Sequence, residues 1–267
     1  SAVGDVVTYE YDNKNRLEWV LDRKRNVIEH HQYEDKDIED QNSYHKHIVY
    51  TAMVDDRTKE NITTSNSEKV SKQVELSDGF GRFRQGISYD VSYWNSKRDQ
   101  ITFAEYDDFG RNLKKHLPYF DNLNGSNEYI ADVLTRQQNY YLNQDDPNEE
   151  NTAPYAETIL EKSPLQRPVE TGSVGEELQP GNGHSTQIEY GWNTTQDNIR
   201  KWVYSHSSAS ASAPSVYGDN ELQKKTITDP DGRRITTFTD ARGREIAITV
   251  EAKVRLDAAG RAYTGAG

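Results

Sequence analysis

The chain has 267 residues, with 44 Asp and Glu against 32 Lys and Arg, so its formal net charge is −12. Hydrophobic residues make up 33 % of the chain, below the roughly 45–50 % usual for a globular domain, which argues against a thick core. The acidic balance argues against nucleic acids and acidic lipids as partners, and no apolar run approaches the ~20 residues that cross a bilayer.

The start of the chain, from Ser1 to Asp5, has neither an initiator Met nor the apolar stretch of a signal peptide. We therefore expect this chain to be a segment of a longer polypeptide. It contains no Cys, which excludes disulfides, thiolate nucleophiles and Cys-based zinc sites and leaves the redox compartment open.

A short motif, Asp-x-x-Gly-Arg, recurs along the chain and predicts repeated turns. Asp in the first position accepts hydrogen bonds from backbone N–H groups, and Gly or Asn three residues later tolerates a positive φ. We interpret the recurring Arg as structural, paired with the turn Asp or stacked on a cross-strand Tyr. The copies comprise Asp12 and Arg16 with Asn15 between them; Asp78, Gly81 and Arg82; Asp107, Gly110 and Arg111; Asp240, Gly243 and Arg244; and Asp257, Gly260 and Arg261.

A second class of turn, such as Asp22–Asn26 or Asp229–Gly232, lies 10 or 11 residues from a neighbouring copy of the motif. Strands of about five or six residues fit between such turns. The sequence therefore predicts an all-β fold, a meander of hairpins. Near the C-terminus, apolar residues alternate with mostly polar ones from Ile246 to Leu256, which predicts a strand with one covered face.

The predicted organisation has four parts. Hairpins occupy residues 1–75, a β region occupies 76–204, a flexible Ser/Ala loop occupies 205–219, and further hairpins occupy 220–267. An irregular, loop-rich insertion is expected within the second part, at 119–185. There, Ile130–Leu134 predicts one or two turns of helix.

At its turns the chain resembles the RHS or YD-repeat family, whose naming dipeptide is present at Tyr11-Asp12 and Tyr106-Asp107. Residues 76–204 resemble the repeat proteins of Bacteroidetes-type bacteria. That match is carried by the Asp78–Arg82 and Tyr106–Arg111 segments, Leu117-Pro118-Tyr119, Ser163–Arg167 and Gly181–His184.

The resemblance implies a β-sheet that spirals into a hollow shell and belongs to a large exported or cell-surface protein of a Gram-negative bacterium. Such shells often enclose a toxin or another C-terminal effector. The implied partners are the rest of the same polypeptide, an enclosed effector and outer-membrane secretion proteins, with no direct membrane span. The chain itself shows neither a self-cleaving core nor a separate effector domain.

Catalysis is not predicted, because the sequence has no nucleophile elbow, zinc-protease motif or phosphate-binding loop. No cofactor is expected. His45 and His47 lie on one side of a predicted strand and offer two metal ligands, but with no third ligand evident we favour a solvated pair. The acidic cluster Asp145–Glu150 suits weak calcium binding or plain hydration.

Exposed aromatic side chains are the remaining candidates for binding. Tyr93, Trp94 and Trp192 lie near polar loops and can stack on sugars or pack within the sheet. The alternative to a shell segment is therefore a binding module. It would dock on an outer-membrane secretion or motility complex through the 119–185 insertion, or act as a glycan-binding adhesin.

Overall fold

The structure is a computed structural model that describes residues 6–35, 44–54, 57–63, 69–93, 96–123, 125–142 and 151–251. The chain divides into two compact units, residues 1–155 and 156–267. The strands of the first unit are β1 (Thr8–Tyr11), β2 (Leu17–Leu21), β3 (Val27–Asp35), β4 (His45–Ala52), β5 (Val70–Ser77), β6 (Phe83–Tyr93), β7 (Ser96–Phe103), β8 (Lys114–His116) and β9 (Tyr119–Asp121). The second unit has β10 (Tyr155–Leu160), which starts at the boundary, β11 (Pro168–Thr171), β12 (Thr186–Trp192), β13 (Arg200–Ser205), β14 (Ser210–Val216), β15 (Gln223–Thr228), β16 (Arg234–Thr239) and β17 (Glu245–Glu251).

The first unit is built on one antiparallel sheet in which strands follow one another in chain order, from β1 to β7, with β9 beside β7. From β1 to β7, each strand pairs antiparallel with the strand that follows it in the chain, which is the meander that the turn spacing predicts. The all-β prediction is confirmed.

The core of this unit is a row of side chains that crosses five strands. Ile48 pairs with Val74, Val74 with Ile87, Ile87 with Ile101, and Ile101 with Tyr119. All five are at most 2 % exposed. Because burying one such side chain contributes roughly 1.5–3 kcal/mol, this row is a main source of stability and fixes the register of the sheet.

The insertion contributes a helix, α1 (Val133–Leu142), to this core. The helix begins three residues after the start of the predicted helical turn and is longer than predicted. Just before it, the buried Gln85 amide holds the backbone of Ile130 through two hydrogen bonds of 2.7 and 2.9 Å. No helix in the described part of the chain is both long and apolar enough to span a membrane.

The second unit contains a sheet in which the strands lie in the order β17-β16-β15-β12-β11-β10, while β13 and β14 form a separate hairpin. Its small core consists of Ile199, Leu222 and Phe238. The Ser/Ala segment at 205–219, expected as a flexible loop, contains β14, which is held by backbone pairing to β13.

The alternation in β17 is present, but its covered side differs from the expectation. Ile248 and Val250, on the apolar side, are 52 % and 65 % exposed. The opposite side of the sheet holds Phe238 and the hydrogen-bonded pair Thr226 and Thr236, all three buried. Alternation separates the two faces of a strand without specifying which face another layer covers.

Candidate functional site

The Asp-x-x-Gly-Arg copies form turns of one geometry, shown here by the turn at Asp78. The Asp78 Oδ1 atom accepts hydrogen bonds from the backbone N–H groups of Phe80 and Arg82, both at 3.0 Å. Its Oδ2 atom accepts one from the Arg82 Nε at 2.8 Å. Gly81 has a φ of +75°, which glycine adopts without steric cost.

Three other copies repeat these bonds. The Arg Nε to Asp Oδ2 distances are 2.9 Å at Arg16 and Asp12, 2.7 Å at Arg111 and Asp107, and 2.8 Å at Arg244 and Asp240. Gly110 and Gly243 also have a φ of +75°, and Asn15 has a φ of +59°. The fifth copy, with Asp257, Gly260 and Arg261, lies outside the described residues.

These hydrogen bonds lower the pKa of each turn carboxyl. At Asp107, the side-chain bond from Arg111 is the largest cause. At Asp12 and Asp240, it is the backbone N–H of the turn's own arginine. At Asp78, burial acts in the opposite direction, but the bonds from the backbone and the guanidinium outweigh it. The ionised carboxylate is therefore part of the turn.

Two of these arginines also reach a tyrosine contributed by the hairpin that follows. The Arg82 guanidinium lies over the Tyr106 ring, 4.6 Å from its centroid, and the Tyr106 hydroxyl donates to the carbonyl of Phe83 at 3.0 Å. We call this arrangement an Arg–Tyr clasp. Tyr106 is the tyrosine of a Tyr-Asp pair, so the clasp connects one repeat turn to the next.

A second Arg–Tyr clasp lies at the start of the sheet. The Arg16 guanidinium is 4.4 Å from the Tyr33 ring centroid, and the Tyr33 hydroxyl donates to the carbonyl of Leu17 at 3.0 Å. In both clasps, the accepting carbonyl belongs to the residue directly after the arginine. The same local geometry therefore occurs twice.

Two successive turns also touch directly. A Cβ placed on Gly110 would lie 2.5 Å from the Arg82 Nη1 atom, whereas one placed on Gly81 would meet no atom within 4 Å. Gly110 thus gives Arg82 room to lie over Tyr106.

A related turn in the second unit has a different spacing, which the motif search missed. Glu161 accepts hydrogen bonds from the Arg167 Nε and Nη2 atoms, both at 2.9 Å, and Arg167 lies 4.1 Å from the Tyr190 ring centroid. The hydrogen bonds from Arg167 are the main cause that lowers the pKa of Glu161 to about 2. The Ser163–Arg167 segment, which carried part of the resemblance, thus contributes its arginine to this turn.

Among the candidate binding aromatics, Trp192 is the one whose side chain the structure describes. Its side chain is 54 % exposed, at the end of β12. Trp94 and the side chain of Tyr93 lie outside the described part of the chain, as does the acidic cluster at 145–150.

Trp192 borders a cleft of about 760 Å³ on one face of the second unit's sheet. Residues of three neighbouring strands form rows across this face. Trp192 pairs with Gln223, and Gln223 with Thr239; one row away, Tyr190 pairs with Lys225, and Lys225 with Thr237. The cleft therefore combines the exposed indole ring of Trp192, the hydroxyl and amide groups of Thr237, Thr239 and Gln223, and the ammonium group of Lys225.

Of His45 and His47, for which the sequence favours a solvated pair over a metal site, His47 is paired with a histidine of the neighbouring strand. His47 Nε2 lies 3.0 Å from Nδ1 of His31 on the neighbouring strand, and its ring stacks on Tyr33 with centroids 4.5 Å apart. Burial, followed by the nearby His31, lowers the pKa of His47. Among the described residues, no group of three or more potential ligands is arranged to hold a metal ion.

Comparisons with known proteins place the chain in a family. A model described as "Domain of unknown function (DUF6443)" matches residues 46–192. No curated protein matches the chain. Among solved structures, a chain in the crystal structure of TcdB2-TccC3 is similar, with 14 % identity and a TM-score of 0.46 over 97 % of this chain and 13 % of that chain. This chain thus spans a small part of that chain's length. Because the family model covers more than half of the sequence, the chain belongs to the DUF6443 family.

Proposed function

We propose that this chain is a wall segment of a large exported or cell-surface RHS/YD-repeat protein. In this role, it is non-catalytic and forms part of a hollow β-shell that encloses or presents a C-terminal effector. Its partners are the rest of the same polypeptide and that effector. The family membership and the repeated turns support an RHS-related chain.

The Arg–Tyr clasp is the observation that carries the proposal. An enclosing wall needs a sheet that stays in register over many hairpins without a thick core beneath every strand. The clasps supply this register at the turns, since Arg82 is held by the Asp78 carboxylate on one side and by the Tyr106 ring on the other. The low apolar fraction suits a wall with solvent on two faces.

The proposal is tested on the native protein from its source, by intact mass and peptide mapping together with identification of whatever co-purifies. We expect the mapped peptides to continue well beyond these 267 residues into an effector at the C-terminal end. A native chain that ends near Gly267 and travels with outer-membrane proteins would contradict the shell role and favour a docking subunit.

The cleft beside Trp192 favours a second candidate function, a surface binding module. An exposed indole next to hydroxyl and amide groups is a common composition for a small-ligand site. If this chain is such a module, replacing Trp192 by Ala will abolish binding to a glycan array while leaving the far-UV circular dichroism spectrum unchanged. The matched control is Trp202→Ala, since Trp202 is 70 % exposed and lies on a separate hairpin.

A further inference from the structure

The cleft beside Trp192 has an electrostatic character opposite to that of the whole chain. The chain carries a net charge of −12. The described residues that line the cleft include Arg167, Lys224 and Lys225 and no carboxylate, and the Lys224 ammonium reaches over Phe238 on the opposite face of the sheet. Such a local reversal of sign selects for ligands that carry negative charge.

Two of these three cations already have carboxylate partners. Arg167 is bound by Glu161, and the Lys224 ammonium lies 2.6 Å from the Asp197 carboxylate. Lys225 differs, because no carboxylate among the described residues lies within ion-pair distance of it. Its side chain is exposed, and its one described contact is the Tyr190 ring, at 6.0 Å.

The register of the sheet places this ammonium beside the open indole. Trp192 pairs with Gln223 on β15, and Lys225 lies two residues further along that strand on the same face. Diagonal neighbours of this kind are about 7–8 Å apart, within reach of a lysine side chain. A ring stacked on Trp192 can therefore present an acidic substituent to Lys225 while its hydroxyl groups meet Gln223 and Thr239.

We propose that this cleft binds an acidic oligosaccharide, with one sugar ring stacked on Trp192 and its carboxylate paired with Lys225. This inference rests on the second candidate function, the binding module, and specifies its ligand. Nucleic acid fits less well, because one unpaired lysine in a net acidic protein cannot neutralise a row of phosphates. One stacking ring beside one ammonium group instead suits a sugar unit that carries one charge.

The test is isothermal titration calorimetry on the full chain with three acidic oligosaccharides: oligogalacturonate, oligomannuronate and hyaluronan fragments. Methyl-esterified oligogalacturonate is the matched neutral probe, since it keeps the rings and removes the charge. We expect at least one acidic oligosaccharide to bind, at least tenfold more tightly than its methyl ester, with an affinity that falls as salt is added.

Variants assign the roles. Lys225→Gln is expected to weaken binding of the acidic ligand about tenfold and to leave the methyl ester unaffected. Trp192→Ala is expected to abolish binding of both. Lys201→Gln and Trp202→Ala are matched controls on the β13–β14 hairpin and are expected to bind as the unmodified chain does, and far-UV circular dichroism verifies folding of every variant.

The outcomes separate a failure of the acidic-oligosaccharide assignment from a failure of the binding-module function on which it rests. Equal binding of the acidic and esterified forms, or no effect of Lys225→Gln, overturns the charge assignment and leaves the binding module standing. No binding of any of the four saccharides overturns the acidic-oligosaccharide assignment, whereas the absence of any Trp192-dependent binding on the glycan array overturns the binding module as well. Neither result affects the wall-segment proposal, which depends on the native chain's length and cargo.

Discussion

Replacing Gly110 by Ala tests whether the contact between successive turns stabilises the sheet, and Gly81→Ala is its matched control. Both glycines have a φ of +75° in equivalent turns. Alanine in this left-handed region costs about 1–2 kcal/mol, and the reduced freedom of the unfolded chain returns about 0.4–1 kcal/mol. Gly81→Ala is therefore expected to lower the free energy of unfolding by about 1 kcal/mol.

Gly110→Ala carries the same backbone cost and, in addition, the cost of displacing the Arg82 guanidinium. Its Cβ would lie 2.5 Å from the Arg82 Nη1 atom, so the guanidinium must move away from the Tyr106 ring and loosen its pair with Asp78. A cation–π contact at a partly exposed site contributes about 0.5–1 kcal/mol and an exposed ion pair about 0.2–1 kcal/mol. The total loss expected for Gly110→Ala is about 2 kcal/mol.

The assay is equilibrium unfolding in urea followed by far-UV circular dichroism, with thermal melts as a second measurement. For a unit of this size, each 1 kcal/mol corresponds to roughly 2–4 °C in Tm. The comparison is repeated in an Arg82→Ala background, where the two substitutions should cost the same. Equal losses in the unmodified background, or a difference that persists without Arg82, would refute the reasoning.

Three further predictions concern single side chains. Tyr106→Phe keeps the ring over Arg82 but removes the hydrogen bond to the Phe83 carbonyl. Urea unfolding should show that the free energy of unfolding falls by about 0.5–1.5 kcal/mol. No change would mean that the hydroxyl bonds equally well to water in the unfolded chain. Asn193→Ala removes a buried amide that accepts a hydrogen bond from the Leu222 N–H at 2.7 Å and donates one to the Gly218 carbonyl at 2.8 Å. Thermal melts should show that the free energy of unfolding falls by about 2–4 kcal/mol, and a fall of less than about 1 kcal/mol would contradict this role. Glu161 has a pKa lowered from 4.5 to about 2, so its stabilising contribution is complete above about pH 4.5 and is lost as the pH falls towards 2. Urea midpoints of Glu161→Gln measured from pH 7 to pH 2 should therefore fall less steeply with acid than those of the unmodified chain, and parallel curves would count against the assignment.

The hairpins were predictable because the turn motif is local. In the Asp78 turn, every bond that closes the turn joins residues no more than four positions apart. The choice of tyrosine in each Arg–Tyr clasp was not predictable, since the Tyr106 hydroxyl reaches back 23 residues to Phe83 and the chain offers 17 tyrosines. Sequence indicates that Arg stacks on a cross-strand Tyr, and only the register shows which one.

Other features left a weak signal or none. The β13–β14 hairpin is held by backbone pairing, and the Ser/Ala alternation of its second strand includes no large apolar side chain before Val216. The pairing of His31 with His47 depends on strand register. The cleft depends on register as well, since it brings Lys225 of β15 beside Trp192 of β12.

The two Arg–Tyr clasps bear on how such a chain changes during evolution. In the clasp at Arg16, the tyrosine bonds to a carbonyl 16 residues earlier; in the clasp at Arg82, it bonds to a carbonyl 23 residues earlier. Hairpins of unequal length thus make the same clasp, so the strands between an arginine and its tyrosine can differ in length while the contact is kept. Homologous repeats are then better recognised by the pairing of an Asp-x-x-x-Arg turn with a returning tyrosine than by any fixed period.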